Sequence, residues 1–243
     1  MLTESSANNS PTTAKSPVAN GWGPLTGTIW AVLAFWGPQF IVMPLVPLLV
    51  GLTISINLKM FALHLLVELL TLAALFVIVR SYKLTLTSIG LGKFKPEYIM
   101  WALLGLPLYF AVATVVTEVA GRLLPQELMT KQQELGFTAA ASGFELLLIF
   151  VALVIVTPLV EEALFRGFLW KAYQKFGVIF AAIAVSALFA VAHMQVNVGI
   201  DVFVLSLILC YIRMKTNSIW PTILLHGMKN FIAFYLLFIV GMK

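Results

Sequence analysis

Charge is what this sequence has least of: 10% of its 243 residues are Asp, Glu, Lys or Arg, against 61% apolar. That shortage excludes a water-soluble globular enzyme, because the apolar surface far exceeds what one soluble core of this length can hide. It equally excludes a disordered chain, which needs low hydrophobicity and high charge. Cysteine is almost missing, with Cys210 alone, so neither an intrachain disulfide nor a Cys-based zinc cluster can form. Residues 1–20 lack large apolar side chains and are rich in Ser, Thr, Asn, Pro and Ala, so a disordered tail is expected over 1–27. That tail also lacks the charged start and short apolar region of a cleaved secretory signal.

What remains is apolar stretches. With a mean hydropathy of +1.01, they run over about 28–52, 60–79, 98–120, 144–173, 178–193, 198–213 and 218–240. Their continuity favours helices over barrel strands, which alternate apolar and polar residues. The expected fold is therefore all-α, a polytopic transmembrane bundle over 28–243 of about seven spans, with six or eight as alternatives. The sixth stretch is the short one, and the fourth is long enough to project into water or break in two. No internal repeat is evident.

The net charge of +5 and pI near 9.4 read as topology signals rather than as an attraction for nucleic acid. Ten of the fifteen Lys and Arg residues fall on one side of the seven-span scheme: Lys15, Arg80, Lys83, Lys93, Lys95, Arg166, Lys171, Lys175, Arg213 and Lys215. Lys59, Arg122, Lys131 and Lys243 fall on the other, and Lys229 lies inside the last span. The expected location is a cytoplasmic (inner) membrane, with the N-terminus cytoplasmic and the C-terminus outside.

Ionisable groups in hydrocarbon are costly and need a partner, a water-filled cavity or a function. Glu161, Glu162 and Arg166 occur in Pro158-Leu-Val-Glu-Glu-Ala-Leu-Phe-Arg-Gly167. Glu162 and Arg166 stand at i and i+4 in the favourable order for an ion pair, whereas Glu161 points about 100° away and keeps a free carboxylate. Pro158 cannot donate to the Val154 carbonyl, which loosens the helix ahead of the acids. Phe189 and His193 share a face, as do His226 and Asn230. At ~1.5 Å per residue, Glu161 lies ~18 Å from Tyr173, His193 ~24 Å from Gly177, and His226 and Asn230 ~14–20 Å from Asn217. All fall in the middle of a ~30 Å hydrocarbon core. His64 and Glu68 read as a satisfied internal pair, and Glu118, Glu145 and Asp201 as interface markers. Lys229 either snorkels or neutralises a carboxylate.

Glu161-Glu162-x-x-x-Arg166, Phe189-x-x-x-His193 and His226-x-x-x-Asn230, in that order, resemble the three motifs of the CAAX-protease and bacteriocin-processing (CPBP, or Abi) family of intramembrane proteases, which includes type II CAAX prenyl endopeptidases. The resemblance covers about 144–235. Lys229, inside the third motif, is a departure from it. The resemblance implies hydrolysis of peptide bonds in membrane-embedded or membrane-adjacent substrates, prenylated tails or leader peptides among them, with the bilayer as partner. Glu161 would be the general base, holding a water with His193; His226 and Asn230 would donate to the oxyanion, and Glu162 and Arg166 would orient the helix. No cofactor is required by this scheme. A divalent metal such as zinc is the alternative, since a Glu/His/His set can bind one, although the His-Glu-x-x-His signature is absent. From other classes, an ion- or proton-coupled transporter and a non-enzymatic immunity or scaffold protein stay open. The missing repeats weigh against the transporter.

Overall fold

The structure is a computed structural model describing residues 23–131, 133, 135–138 and 141–241. Residues 1–22 of the expected tail lie outside the described residues, as do Lys15 and Lys243 of the charge count. Among the described residues, seven apolar helices follow one another. They are α1 (Pro24–Leu49), α2 (Ile56–Ser81), α3 (Glu97–Leu123), α4 (Gly143–Phe176), α5 (Val178–Ala192), α6 (Val196–Thr216) and α7 (Trp220–Val240). Six are long and apolar enough to cross a bilayer, and α5, at 15 residues, is shorter. The protein is a polytopic helical membrane protein.

The helix ends follow from local chemistry. Helix α1 opens at Pro24, whose missing N–H costs nothing at a first turn. Ser55 caps α2 by accepting from Leu58 N at 3.2 Å. Ser142 and Glu145 form a reciprocal capping box at the start of α4: Glu145 N donates to Ser142 Oγ and Ser142 N to Glu145 Oε2. Ser55 Oγ also donates to Glu145 Oε1, tying the start of α2 to that of α4.

Two expectations about span length change. The sixth span is not short: α6 runs for 21 residues because Arg213, expected to end it, stays helical with its guanidinium turned inward. The short helix is α5, bounded by Gly177 at a positive φ and by the turn at His193. The fourth span does not break in two. It is a single 34-residue helix with π-helical stretches at Val151–Val156 and Ala163–Leu169.

Helix α4 is the axis of the bundle, touching α1, α2 and α7 along its length. Helix α6 packs on α5 and α3, and α7 on α3. One apolar cluster surrounds the second half of α4, with Phe165, Phe168, Leu169 and Phe189 at its centre. A second joins α3, α6 and α7 through Tyr109, Leu205, Leu209 and Leu225. Large apolar side chains such as Phe76, Leu104, Val115 and Ile179 point outward, as lipid-facing positions should.

Candidate active site

The two acids of α4 sit in the one α-helical turn, Thr157–Glu162, between its π stretches. Single π turns recur at functional sites, and here each releases a carbonyl. Thr157 N donates back to Ala152 O, and residue 158 is proline with no N–H to give. The Leu153 carbonyl is thus left without a helical donor, and Asn230 Nδ2 takes it at 2.9 Å. Beside it, Gly227 of α7 lies so near the Val154 carbonyl that a Cβ there would stand 3.0 Å from the oxygen. In the second stretch Trp170 N donates to Phe165 O instead of to Arg166 O, and Arg213 Nε of α6 binds the Arg166 carbonyl at 3.0 Å. Pro158 and the π turns therefore dock α7 and α6 onto α4 through its own backbone.

Glu162 and Arg166 are both fully buried. Arg166 Nη1 donates to Glu162 Oε1 at 2.8 Å, the i to i+4 pairing expected from the spacing. The guanidinium also lies over the Phe189 ring, 4.4 Å from its centre. Phe189 is the hub of the site: its ring packs edge-on against Phe165, His193 and His226.

Both histidines are oriented through Nδ1. His226 Nδ1 stands 3.0 Å from Glu162 Oε1, which as a carboxylate paired to arginine only accepts, so this nitrogen carries the proton. His193 Nδ1 donates to the Phe189 carbonyl at 2.8 Å by the same reasoning. In each neutral ring Nε2 is left as an acceptor. His226 Nε2 lies 3.7 Å from Glu161 Oε2. Anchored Nδ1 and open Nε2 form the donor chemistry a divalent ion such as zinc accepts. Among the described residues, no three His, Cys, Asp or Glu side chains are arranged to hold one.

Glu161, His193, His226 and Asn230 line one cavity of about 400 Å³. Glu161 also lines a second cavity of about 530 Å³, mostly apolar, between α1 and α2, with Phe35, Trp36, Phe40 and Met60 in its wall. The structure thus brings together four of the six residues singled out from the sequence and sets Glu162 and Arg166 behind them.

Several neighbours were not legible in the motifs. Thr157, one turn ahead of Glu161, meets His64 Nε2 at 2.8 Å and donates to Glu68 Oε1 at 3.3 Å, so the pair on α2 is joined to the site's own helix and lines its cavities. Asp201 accepts from the Tyr109 hydroxyl at 2.5 Å and pairs with Lys229 at 3.5 Å, so Lys229 does neutralise a carboxylate. Glu118 pairs with Arg122 on the exposed face of α3.

The arrangement is a buried carboxylate, two oriented imidazoles and an amide around a cavity within a helical bundle. Residues 143–232, rather more than a third of the chain, match the model of the family described as type II CAAX prenyl endopeptidase Rce1-like. That segment is similar to the CAAX-protease family of membrane endopeptidases. No curated protein and no solved structure matches the chain.

Proposed function

We propose that the protein is an intramembrane endopeptidase that hydrolyses membrane-associated peptides with a water activated by Glu161. The observation that carries this reading is the shared cavity of Glu161, His193, His226 and Asn230, adjoining an apolar cavity at Glu161. A peptide held to the membrane by an apolar segment would seat that segment between α1 and α2 and present its scissile carbonyl on the polar side.

In this reading Glu161 and the open Nε2 of His193 hold the water. Its oxygen attacks the carbonyl carbon while Glu161 takes one proton. Asn230 spends one amide N–H on Leu153 O and offers the other to the oxyanion. With Nδ1–H given to Glu162, His226 donates from Nε2 only as imidazolium, a form that the Glu162 carboxylate supports. Collapse of the tetrahedral adduct breaks the C–N bond, and the proton held by Glu161 passes to the leaving nitrogen. Glu162 and Arg166 are positioning residues. The N-terminus is assigned to the cytoplasm on the charge asymmetry, which persists when the buried Arg166 and Arg213 are set aside.

The test is purified protein in nanodiscs with a fluorogenic lipidated peptide, wild type beside Glu161→Gln. Cleavage by the wild type and none by the variant is expected. Uncoupled proton flux in liposomes with no peptide cleavage would instead favour a transporter.

A further inference from the structure

Lys229 is a cation inside a membrane-spanning helix, a placement that calls for a partner, a water-filled cavity or a function. His226, Lys229 and Asn230 stand at i, i+3 and i+4 on α7, hence on one face, and all three line the same cavity as Glu161. The ion-pair partner of Lys229 among the described residues is Asp201 of α6, at 3.5 Å, longer than the ~2.7–2.9 Å of a close charge-assisted bond. Asp201 is itself held from α3, where the Tyr109 hydroxyl donates to its other oxygen. The ammonium has three N–H donors, and its side chain is 21% accessible. Asp201 therefore fixes where the ammonium stands without using all that it can donate, and its charge acts on Glu161, His193 and His226.

The other polar side chains of the site offer little to a developing oxyanion. Asn230 has one amide N–H left after serving Leu153 O. His193 Nδ1 is spent on Phe189 O and His226 Nδ1 on Glu162 Oε1, so each neutral ring presents only an acceptor at Nε2. His226 becomes a donor there only as imidazolium, and the Glu162 Oε1 that would support this charge already takes Arg166 Nη1 at 2.8 Å. Lys229 donates in either state of His226. A hydrogen bond from a charged donor is also roughly twice as strong as one between neutral groups.

We infer that Lys229, held in place by Asp201, is a further catalytic residue that donates, together with Asn230, to the oxyanion of the tetrahedral adduct. As water oxygen bonds to the carbonyl carbon, the π pair moves onto the carbonyl oxygen. Lys229 stabilises that charge by hydrogen bonding and keeps its own proton, and the pair returns to carbon as the C–N bond breaks. The inference rests on the peptidase reading. Its test uses the full chain in nanodiscs, a fluorogenic lipidated peptide, and a phosphinate analogue whose tetrahedral anion replaces the scissile bond. Lys229→Met should lower kcat by about 100-fold with KM little changed, as loss of one oxyanion donor does. The phosphinate should lose affinity by a comparable factor, while substrate affinity, read in the Glu161→Gln background, should hold. Lys229→Arg keeps a charged donor and should regain much of the turnover. Asp201→Asn/Lys229→Met removes the lone carboxylate as well and should stay as slow as Lys229→Met. Recovery of turnover in that double variant would make Lys229 only a counter-ion for Asp201 and overturn the inference, and so would equal losses of phosphinate and substrate affinity. Either result with cleavage by the wild type leaves the peptidase reading standing; no cleavage by the wild type refutes that reading and the inference with it.

Discussion

The bond from Asn230 Nδ2 to the Leu153 carbonyl allows the structural and chemical roles of one residue to be separated. Asn230→Ala removes, among the described residues, the side-chain donor to a carbonyl that the π turn and Pro158 have both abandoned. Interhelical hydrogen bonds in membranes average only ~0.6 kcal/mol, with a maximum near ~1.7, because the alternative state usually finds another partner. Here no backbone partner exists, so the cost should approach the ~1–3 kcal/mol of a buried unsatisfied acceptor. Pro158→Ala restores an N–H within reach of Leu153 O or Val154 O. In that background the same Asn230→Ala substitution should cost about 0.6 kcal/mol, giving a coupling on the order of 1 kcal/mol. Reversible unfolding of all four proteins in mixed micelles measures this cycle. Turnover should not follow stability: Asn230→Ala should stay slow in the Pro158→Ala background, because restoring the helix does not restore a donor to the oxyanion. Equal penalties in the two backgrounds, within about 0.3 kcal/mol, would refute the assignment of the freed carbonyl.

Further outcomes follow from the same geometry. Gly227→Ala places a methyl 3.0 Å from Val154 O, which α7 and α4 relieve by parting a few tenths of an ångström, so turnover should fall by less than the ~100-fold that a misplacement of about 1 Å can cause, with the protein still folded by circular dichroism. Arg166→Met strands Glu162 in the core and should destabilise by about 3–5 kcal/mol in the same micelle assay, whereas Glu162→Leu/Arg166→Met should regain much of the stability and none of the peptidase activity. His226→Ala should lower turnover by about 100- to 1000-fold with little change in peptide affinity, and a chelator should leave the wild type active. Stoichiometric zinc that disappears in His226→Ala would make that residue a metal ligand instead. Reporter fusions should find the two termini on opposite sides of the membrane; termini on one side would remove the seven-span topology.

The residues that sequence reading could find are those whose partners lie one turn away on the same helix. Glu162–Arg166, Phe189–His193 and His226–Asn230 all obey i to i+4 spacing, and the structure keeps each on one face. Contacts between distant segments leave no such trace. Thr157 and His64 are 93 positions apart, and Tyr109 and Asp201 are 92 apart, so neither cluster could be assembled from periodicity. The π stretches were likewise hidden apart from Pro158, since an i to i+5 bond depends on whether a neighbouring helix supplies a donor for the carbonyl it frees. Arg213 misled for a related reason. A charged residue reads as the end of a span, but its guanidinium turns inward to serve Arg166 O and Asn217 Oδ1, and α6 continues past it.

The central claim is that Glu161 activates a water against a peptide carbonyl, and isotope incorporation tests it most directly. A lipidated peptide is incubated with the wild type and with Glu161→Gln, each in nanodiscs in oxygen-18 water, and the products are read by mass spectrometry. The account predicts one internal cleavage by the wild type, one heavy oxygen in the new carboxylate, and no product from the variant. Cleavage by Glu161→Gln at a rate near that of the wild type, with the same isotope incorporated, would contradict it.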